Sequence, residues 1–133
     1  MPVEVRWEPG GVCRRYHGVV TVAERQASLV QVCNDARFDE LRYAITDYRD
    51  VVDYQTTPQA TEETAALHIG PLLTNPKILL ASIATDEHIV AAIRHFISLE
   101  FISQPYRIFA TMEEARAWIE HTRIAHRKRS RPR

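Results

Sequence analysis

The chain lacks several features that would assign it to a special class of protein. Its 133 residues include only two cysteines and four glycines. Cys13 and Cys33 are too few and too scattered for a disulfide scaffold or a zinc site. Each lies among apolar residues, so we expect both to be small core side chains. No apolar run approaches the roughly 18 residues that a membrane-spanning helix needs.

Acidic and basic residues balance in number, 17 of each, but not in position. Segment 123–133 holds six arginine and lysine residues and no acid, so the preceding 122 residues carry a net charge of −6. An acidic body repels phosphates at long range, which disfavours nucleic acid as a partner. The basic C-terminal tail is expected to be flexible, and it is the part suited to peripheral contact with an anionic membrane.

The remaining composition is that of one globular domain, which we place at residues 1–122. Hydrophobic residues make up 45% and charged residues 26% of the chain, which are ordinary values. The N-terminal residues MPVEVRWEPG contain no apolar signal core, so we expect a cytoplasmic protein.

Hydrophobic periodicity predicts five strands. Val3, Val5 and Trp7 alternate with charged residues, which is typical of a half-buried strand. Pro9-Gly10-Gly11 predicts a tight turn into a second strand at 12–17. Further strands are predicted at 43–46, 78–84 and 106–109. The apolar run 78–84 is typical of a central strand covered on both faces.

Capping signals predict four helices between and after these strands. Thr21 with Glu24, and Thr111 with Glu114, form capping boxes. Thr57 before Pro58 predicts a cap followed by proline at the first helical position. The predicted helices are 22–36, 58–69 with a break or kink at Gly70-Pro71, 86–102 capped by Thr85, and 112–122. The order ββαβαβαβα predicts a single α/β domain with a mixed, mostly parallel sheet and helices packed on it.

Five segments carry a family resemblance. They are the WEPGG turn, GVVT at the first capping box, RFDELRY before a strand that ends at Asp47, ILLASIATD, and PYRIFATMEEARAWIE. Together they resemble the SpoIIAA-like proteins, which are related to the STAS (anti-sigma-factor antagonist) fold. The resemblance covers about residues 3–121. It implies an α/β domain, also likened to SEC14-like lipid carriers, with no catalytic activity. Binding of an apolar ligand and reversible membrane association are the roles proposed for that family.

The resemblance also points to two threonines. STAS antagonists carry a phosphorylatable serine in an Asp-Ser-Ser-Gly turn, at the start of the helix that follows the Asp-ended strand. Gln55-Thr56-Thr57-Pro58 occupies that place here, with glutamine for the aspartate and proline for the glycine. Thr56 or Thr57 is therefore the candidate phosphorylation site of a regulator that acts on a partner protein.

Residues capable of catalysis form no recognisable motif. Asp47, Asp50 and Asp53 recur every three residues near the end of a predicted strand, where α/β sheets bind ligands and where carboxylates could hold a cation. No phosphate-binding loop or calcium-loop spacing accompanies them, so we favour loop capping. The six histidines form no metal-binding pair, and no nucleophile motif is present. We therefore predict no catalytic residue, no metal and no cofactor, and rank an enzyme last.

The helix predicted at 86–102 carries more apolar surface than packing on a sheet requires. Its apolar residues cover an arc of about 200°, against about 100° for an ordinary surface helix. The excess predicts contact with a neighbouring helix, a second subunit, an apolar ligand or a membrane. Glu100 lies inside this arc, so either the helix distorts before it or the carboxylate is partly buried with a partner.

The leading hypothesis is a non-enzymatic domain that binds a small apolar or lipid-like molecule. Because interrupted helices pack less continuously, the break at Gly70-Pro71 is expected to leave room for it. The predicted wall consists of Leu72, Leu73, Phe96, Ile97 and Phe101, with His95 and Glu100 as polar contacts. The same residues could instead form a homodimer interface. The alternative is the STAS-type regulator switched at Thr56 or Thr57.

Overall fold

Residues 2–130, which the computed structural model describes, fold around one five-stranded sheet in the order β1-β2-β3-β4-β5. The strands are β1 (Val3–Glu8), β2 (Gly11–Val20), β3 (Tyr43–Tyr54), β4 (Leu79–Ile83) and β5 (Tyr106–Phe109). The helices are α1 (Val22–Cys33), α2 (Pro58–Thr74), α3 (Glu87–Ser98) and α4 (Met112–Ser130). β1 is antiparallel to β2, and the other neighbouring strands are parallel. The predicted fold class and element order are confirmed.

The helices cover the two faces of the sheet unequally. On one face α4 packs through Ala115 and Ile119 onto a cluster that includes Ile45 and Leu79. The other face carries α1, α2 and α3, whose apolar side chains form two further clusters with the sheet. The α4 face of β1 and β2 is exposed and charged, because Glu4, Arg6 and Arg15 alternate outward there.

The length of β3 differs most from the sequence prediction. The strand continues to Tyr54, whereas the sequence predicted that it ends at Asp47. β2 also continues, to Val20, and the two strands pair along this extension with register shifts near His17 and Gly18. Pairing with β2 gives the backbone N–H and C=O groups of β3 their hydrogen-bond partners. The polar side chains of this segment therefore did not prevent a strand.

α2 does not break at Gly70-Pro71, which corrects a second prediction. The helix runs from Pro58 to Thr74 with Pro71 inside it. Leu72 is buried in a cluster with Phe38, and the Asn75 side-chain amide donates to two carbonyl oxygens at 2.9 Å. These contacts anchor the last turn and offset the hydrogen bond that the proline removes.

The ends of the other helices also needed correction. Asp86, not Thr85, caps α3, because its carboxylate accepts from the backbone N–H groups of the first turn. α3 ends at Ser98, and Glu100 lies beyond it in the left-handed region with a φ of 54°. The helix therefore distorts before Glu100, as one of the two alternatives predicted. α1 ends at residue 33 rather than 36.

The basic segment is partly helical. α4 continues to Ser130, eight residues beyond its predicted end. The last part of the predicted tail, residues 131–133, lies outside the described residues. Within the described part of the chain, no helix combines the length and the apolar character needed to cross a membrane.

Gly11 supplies a test of the β2–β3 packing. A Cβ atom built at this position would lie 2.1 Å from the ring of Tyr43, whose hydroxyl donates to Glu8 Oε1. Because the ring is held in place, Gly11→Ala should lower the free energy of unfolding by about 1–3 kcal/mol, as overpacking does. Urea denaturation of the variant and the wild type measures this loss.

The control is the same substitution in a Tyr43→Ala background. Removing the ring removes the overlap, so Gly11→Ala should lower the free energy of unfolding clearly less in the Tyr43→Ala background than in the wild type. An equal cost in both backgrounds would show that the ring is not the obstacle.

Candidate functional site

A groove opens where β3 and β4 lead into the first turns of α2 and α3. Its volume is about 360 Å³. The lining residues come from the β3–α2 connection and the two helices: Thr56, Thr57, Pro58, Thr61, His88, Ala91, Ala92 and His95. Ligands and partners of parallel α/β sheets commonly bind at this carboxyl edge.

The two candidate phosphorylation residues differ in accessibility. Thr57 is exposed, and its hydroxyl oxygen accepts from the Ala60 N–H at 3.1 Å, which confirms the predicted N-cap. Thr56 is half-buried, and its hydroxyl lies 3.3 Å from both the Thr57 carbonyl oxygen and the Thr61 hydroxyl. Thr57 is therefore the more accessible hydroxyl, while phosphorylation at either residue stays a prediction.

A smaller cavity of about 70 Å³ lies between the sheet and helices α1–α3. It is adjacent to the groove, since Thr61 and Ala92 line both. Its polar lining comes from Arg14, Arg25, Thr46, Thr61, Thr64 and His68. Its aromatic lining comes from Tyr16, Tyr48, Tyr54, Phe96 and Tyr106. Leu29, Ala92 and Ile93 complete the lining, so most of the residues around this space are polar or aromatic.

Two arginines at this cavity have neutral partners. Arg14 extends between α1 and β3, with Nη1 3.3 Å from Ser28 Oγ and Nη2 3.3 Å from Thr46 Oγ1. Arg25 is 7% exposed; its Nη1 donates to the Tyr54 hydroxyl at 2.7 Å and its Nη2 to a backbone carbonyl oxygen at 2.8 Å. The Arg25 Nε is buried without a hydrogen-bond partner.

Tyr106 and His68, which line the same cavity, are neutral at pH 7. Burial raises the pKa of Tyr106 to about 12, although the hydrogen bond to Ser82 at 2.7 Å opposes that rise. Burial lowers the pKa of His68 to about 4, and the bond to the Thr64 carbonyl partly offsets this. The neutral His68 ring donates its Nδ1–H to that carbonyl oxygen at 2.7 Å.

The predicted apolar wall is not assembled. Phe96 lines the cavity, and Ile97 packs in the cluster beneath α3. Leu72 lies in a different cluster, under α2. Leu73 and Phe101 are 77% and 42% exposed. Since Phe96 is the one residue of these five that lines the cavity, the structure does not bring this set together around one ligand.

The two predicted polar contacts also lie apart. His95 lines the groove, with its Nε2 3.6 Å from Glu62 Oε1. Glu100 is exposed beyond the end of α3. The helix end at Ser98 explains this separation, because the backbone changes direction before Glu100. An apolar ligand bound by this set of residues therefore stays a prediction without geometric support.

The aspartate cluster forms part of β3 instead of a loop beyond it. Asp47 pairs with Arg49 at 2.8 Å and Asp50 with Arg15 at 2.6 Å. Asp53 accepts from Gln55 at 3.4 Å. Across residues 2–130, no group of three or more His, Cys, Asp or Glu side chains is placed to hold a metal ion.

Both cysteines are free thiols inside or near the core. Cys13 is buried and Cys33 half-buried, and burial raises the pKa of each thiol. A raised pKa keeps the thiol protonated and weakly nucleophilic. Their interpretation as small core side chains is therefore consistent with the structure.

Sequence reasoning missed the two arginines of the cavity. A signal was available in β2, where Val12, Arg14 and Tyr16 alternate on one face and the first and last of them are buried. An arginine between two inward residues of a strand indicates an enclosed cation. Arg25 gave a weaker signal of enclosure, because a single arginine beside the apolar face of a helix usually extends to solvent.

The depressed pKa of His68 predicts a dependence of stability on pH. Unfolding returns the pKa from about 4 to an ordinary 6.5, so the unfolded chain binds more protons between these values. The contribution of neutral His68 to the free energy of unfolding is complete above pH 6.5 and is lost as the pH falls towards 4. Between pH 7 and 5, urea unfolding should show a loss of about 2 kcal/mol from this residue.

A matched pair of variants isolates this effect. His68→Gln should lose less stability than the wild type between pH 7 and 5, because the titrating group is gone. His121→Gln, at an exposed position on α4, should retain the wild-type loss. An unchanged pH profile in His68→Gln would contradict the assignment.

Solved structures that share this architecture include two whose similarity covers most of the chain, whereas no family model and no curated protein sequence matches it. One is the anti-sigma factor antagonist SpoIIAA in its unphosphorylated form, with a TM-score of 0.60 and 8% identity over 91% of this chain and 97% of that chain. The other is an uncharacterized protein with a SpoIIAA-like fold from the DUF3478 family of Shewanella loihica PV-4. It has a TM-score of 0.52 and 15% identity over 88% of this chain and 91% of that one. At such identities the likeness shows the fold, so the chain has a SpoIIAA-like fold, as its sequence resemblance predicted.

Proposed function

We propose that this protein is a non-enzymatic regulator that binds a partner protein at the groove between α2 and α3 and is switched by phosphorylation of Thr57. The observation that carries the proposal is the exposed Thr57 hydroxyl in that groove, at the first turn of the helix after the longest strand. The shared fold supports it, because one protein of this fold is an anti-sigma factor antagonist described in an unphosphorylated form.

The local electrostatics suit a phosphate on Thr57. The N–H groups at the first turn of α2 and the helix dipole stabilise negative charge at that end. Asp50, a potential source of repulsion, is already paired with Arg15 at 2.6 Å. A phosphorylated Thr57 would therefore be tolerated by the folded protein.

The groove beside Thr57 suits a partner that is sensitive to this charge. Ala91 and Ala92 provide small apolar contacts, and His88 and His95 lie beside them. A phosphate adds about 1.5–2 negative charges, which disrupt an apolar contact through desolvation. Unmodified protein would bind the partner, and phosphorylated protein would release it.

Other roles predicted from the sequence have less support from the geometry. The residues of the predicted apolar wall lie apart, so a lipid-like ligand has no assembled site among them. Peripheral membrane contact by the basic end of α4, a homodimer and a cytoplasmic location stay predictions.

The first test is direct detection of the modification. Trypsin should release residues 50–77 as one peptide that contains five threonines, so fragment ions are needed to locate the phosphate. We expect phosphate on Thr57 in protein purified from the cells that naturally produce it. Absence of any phosphorylated form of this peptide, under conditions that vary growth and stress, would count decisively against the switch.

The second test separates charge from folding at Thr57. Thr57→Ala removes the cap and should cost about 1 kcal/mol of unfolding free energy. Aspartate caps helices as well as threonine does, so Thr57→Asp should fold normally. It should nevertheless weaken binding of the partner that co-purifies with wild-type protein at least tenfold, measured by calorimetry with the purified partner.

Thr74→Asp is the matched control, since Thr74 is an exposed threonine at the other end of α2. It should leave the affinity for the partner unchanged. Equal affinities of the wild type, Thr57→Asp and Thr74→Asp would exclude the groove as the regulated surface.

A further inference from the structure

We propose that the cavity between the sheet and helices α1–α3 binds a small oxyanion, a carboxylate or phosphate group, through the guanidinium groups of Arg14 and Arg25. This site is separate from Thr57 and does not depend on the proposed switch.

The first argument is uncompensated charge. Arginine keeps its proton in proteins, so both side chains carry a positive charge. Among the described residues, no carboxylate lies within 4.0 Å of the Arg14 or Arg25 guanidinium nitrogens. Their partners are hydroxyl and carbonyl oxygens. An enclosed charge without a counter-ion is costly, and an anion in the cavity would supply one.

The second argument is contrast within the same protein. More exposed arginines do pair with acids: Arg15 with Glu4 and Asp50, Arg37 with Asp35, Arg49 with Asp47, and Arg116 with Glu8. Acidic partners are thus available in this sequence and are used at the surface. In the cavity, an ion pair would offset the largest cost of removing a charge from water. Its lining nevertheless consists of cations and neutral groups alone.

The third argument is free hydrogen-bonding capacity. A guanidinium has five N–H donors. Arg14 uses its Nη atoms in two long bonds of 3.3 Å, and the buried Arg25 Nε has no partner. The hydroxyl groups of Thr46 and Thr64 also line the cavity. These groups together form a set of donors that fits the oxygens of a carboxylate or phosphate.

The fourth argument is size and access. The cavity volume of about 70 Å³ is several times the roughly 10–15 Å³ that a single buried water needs. That space holds one small oxyanion but not a long acyl chain. Thr61 and Ala92 line both the cavity and the open groove, so the two spaces adjoin and an anion would enter from the groove between α2 and α3.

The test titrates the full-length protein with sodium acetate, inorganic phosphate or sodium chloride at fixed ionic strength. A bound anion stabilises the folded state by mass action, so Tm should rise by about 4–5 °C for each tenfold concentration above Kd. A rise with acetate alone identifies a carboxylate site, and a rise with phosphate alone identifies a phosphate site. An equal response to chloride, or no saturable response, would mean that water fills the cavity and would overturn the proposal.

Adjacent arginines on opposite faces of β2 provide the variants. Arg14→Met removes the enclosed charge and should abolish the anion-dependent rise in Tm. Arg15→Met removes an exposed arginine that pairs with Glu4 and Asp50, and it should retain the full rise. Retention of the rise in Arg14→Met would assign the effect to another surface and overturn the proposal.

A measurement on the wild type keeps the test decisive if Arg14→Met does not fold. The charge of Arg14 contributes to the low pKa of His68, after the larger effect of burial. An anion bound between them would offset that charge, so saturating acetate or phosphate should raise the pKa of His68 measured by NMR. An unchanged pKa at concentrations that would saturate the site overturns the proposal.

Discussion

The parallel pairing of β2 with β3 is the constraint on which the rest of the structure depends. The two strands pair from Gly11 opposite Tyr43 to Val20 opposite Tyr54. A Cβ atom at Gly11 would overlap the Tyr43 ring, so the start of this pairing requires glycine. The register places Arg14 opposite Thr46, within hydrogen-bond reach. The position of Arg14 in the lining of the cavity follows from this alignment.

The unequal covering of the sheet gives its two faces different chemistry. Much of the face of β1 and β2 on the α4 side remains in solvent, and Arg15 there forms an ion pair with Asp50. The opposite face is enclosed by α1, α2 and α3, and there Arg14 and Arg25 contact hydroxyl, carbonyl and aromatic groups. A cation on the open face is stabilised by water and acids, whereas one on the enclosed face depends on the groups in the cavity.

α2 connects the groove and the cavity physically. Its first turn carries Thr57 in the groove, Thr61 lines both spaces, and His68 lines the cavity two turns later. The helix remains continuous through Pro71 because Leu72 and Asn75 are anchored at its other end. α2 is thus one continuous helix that borders both the groove and the cavity.

Local sequence determined the order of elements and most of their starting points. The capping box of α1, the Thr111 side-chain cap of α4 and the Thr57-Pro58 cap depend on residues within one turn of each other, so the sequence alone was sufficient to predict them. The apolar run of β4 likewise indicated a covered strand. Tertiary structure decided the rest: the extension of β3 to Tyr54, the continuity of α2 through Pro71, and the enclosure of Arg14. Each depends on partners distant in sequence, such as β2 for β3 and Asn75 with Phe38 for α2, and local patterns do not encode such contacts.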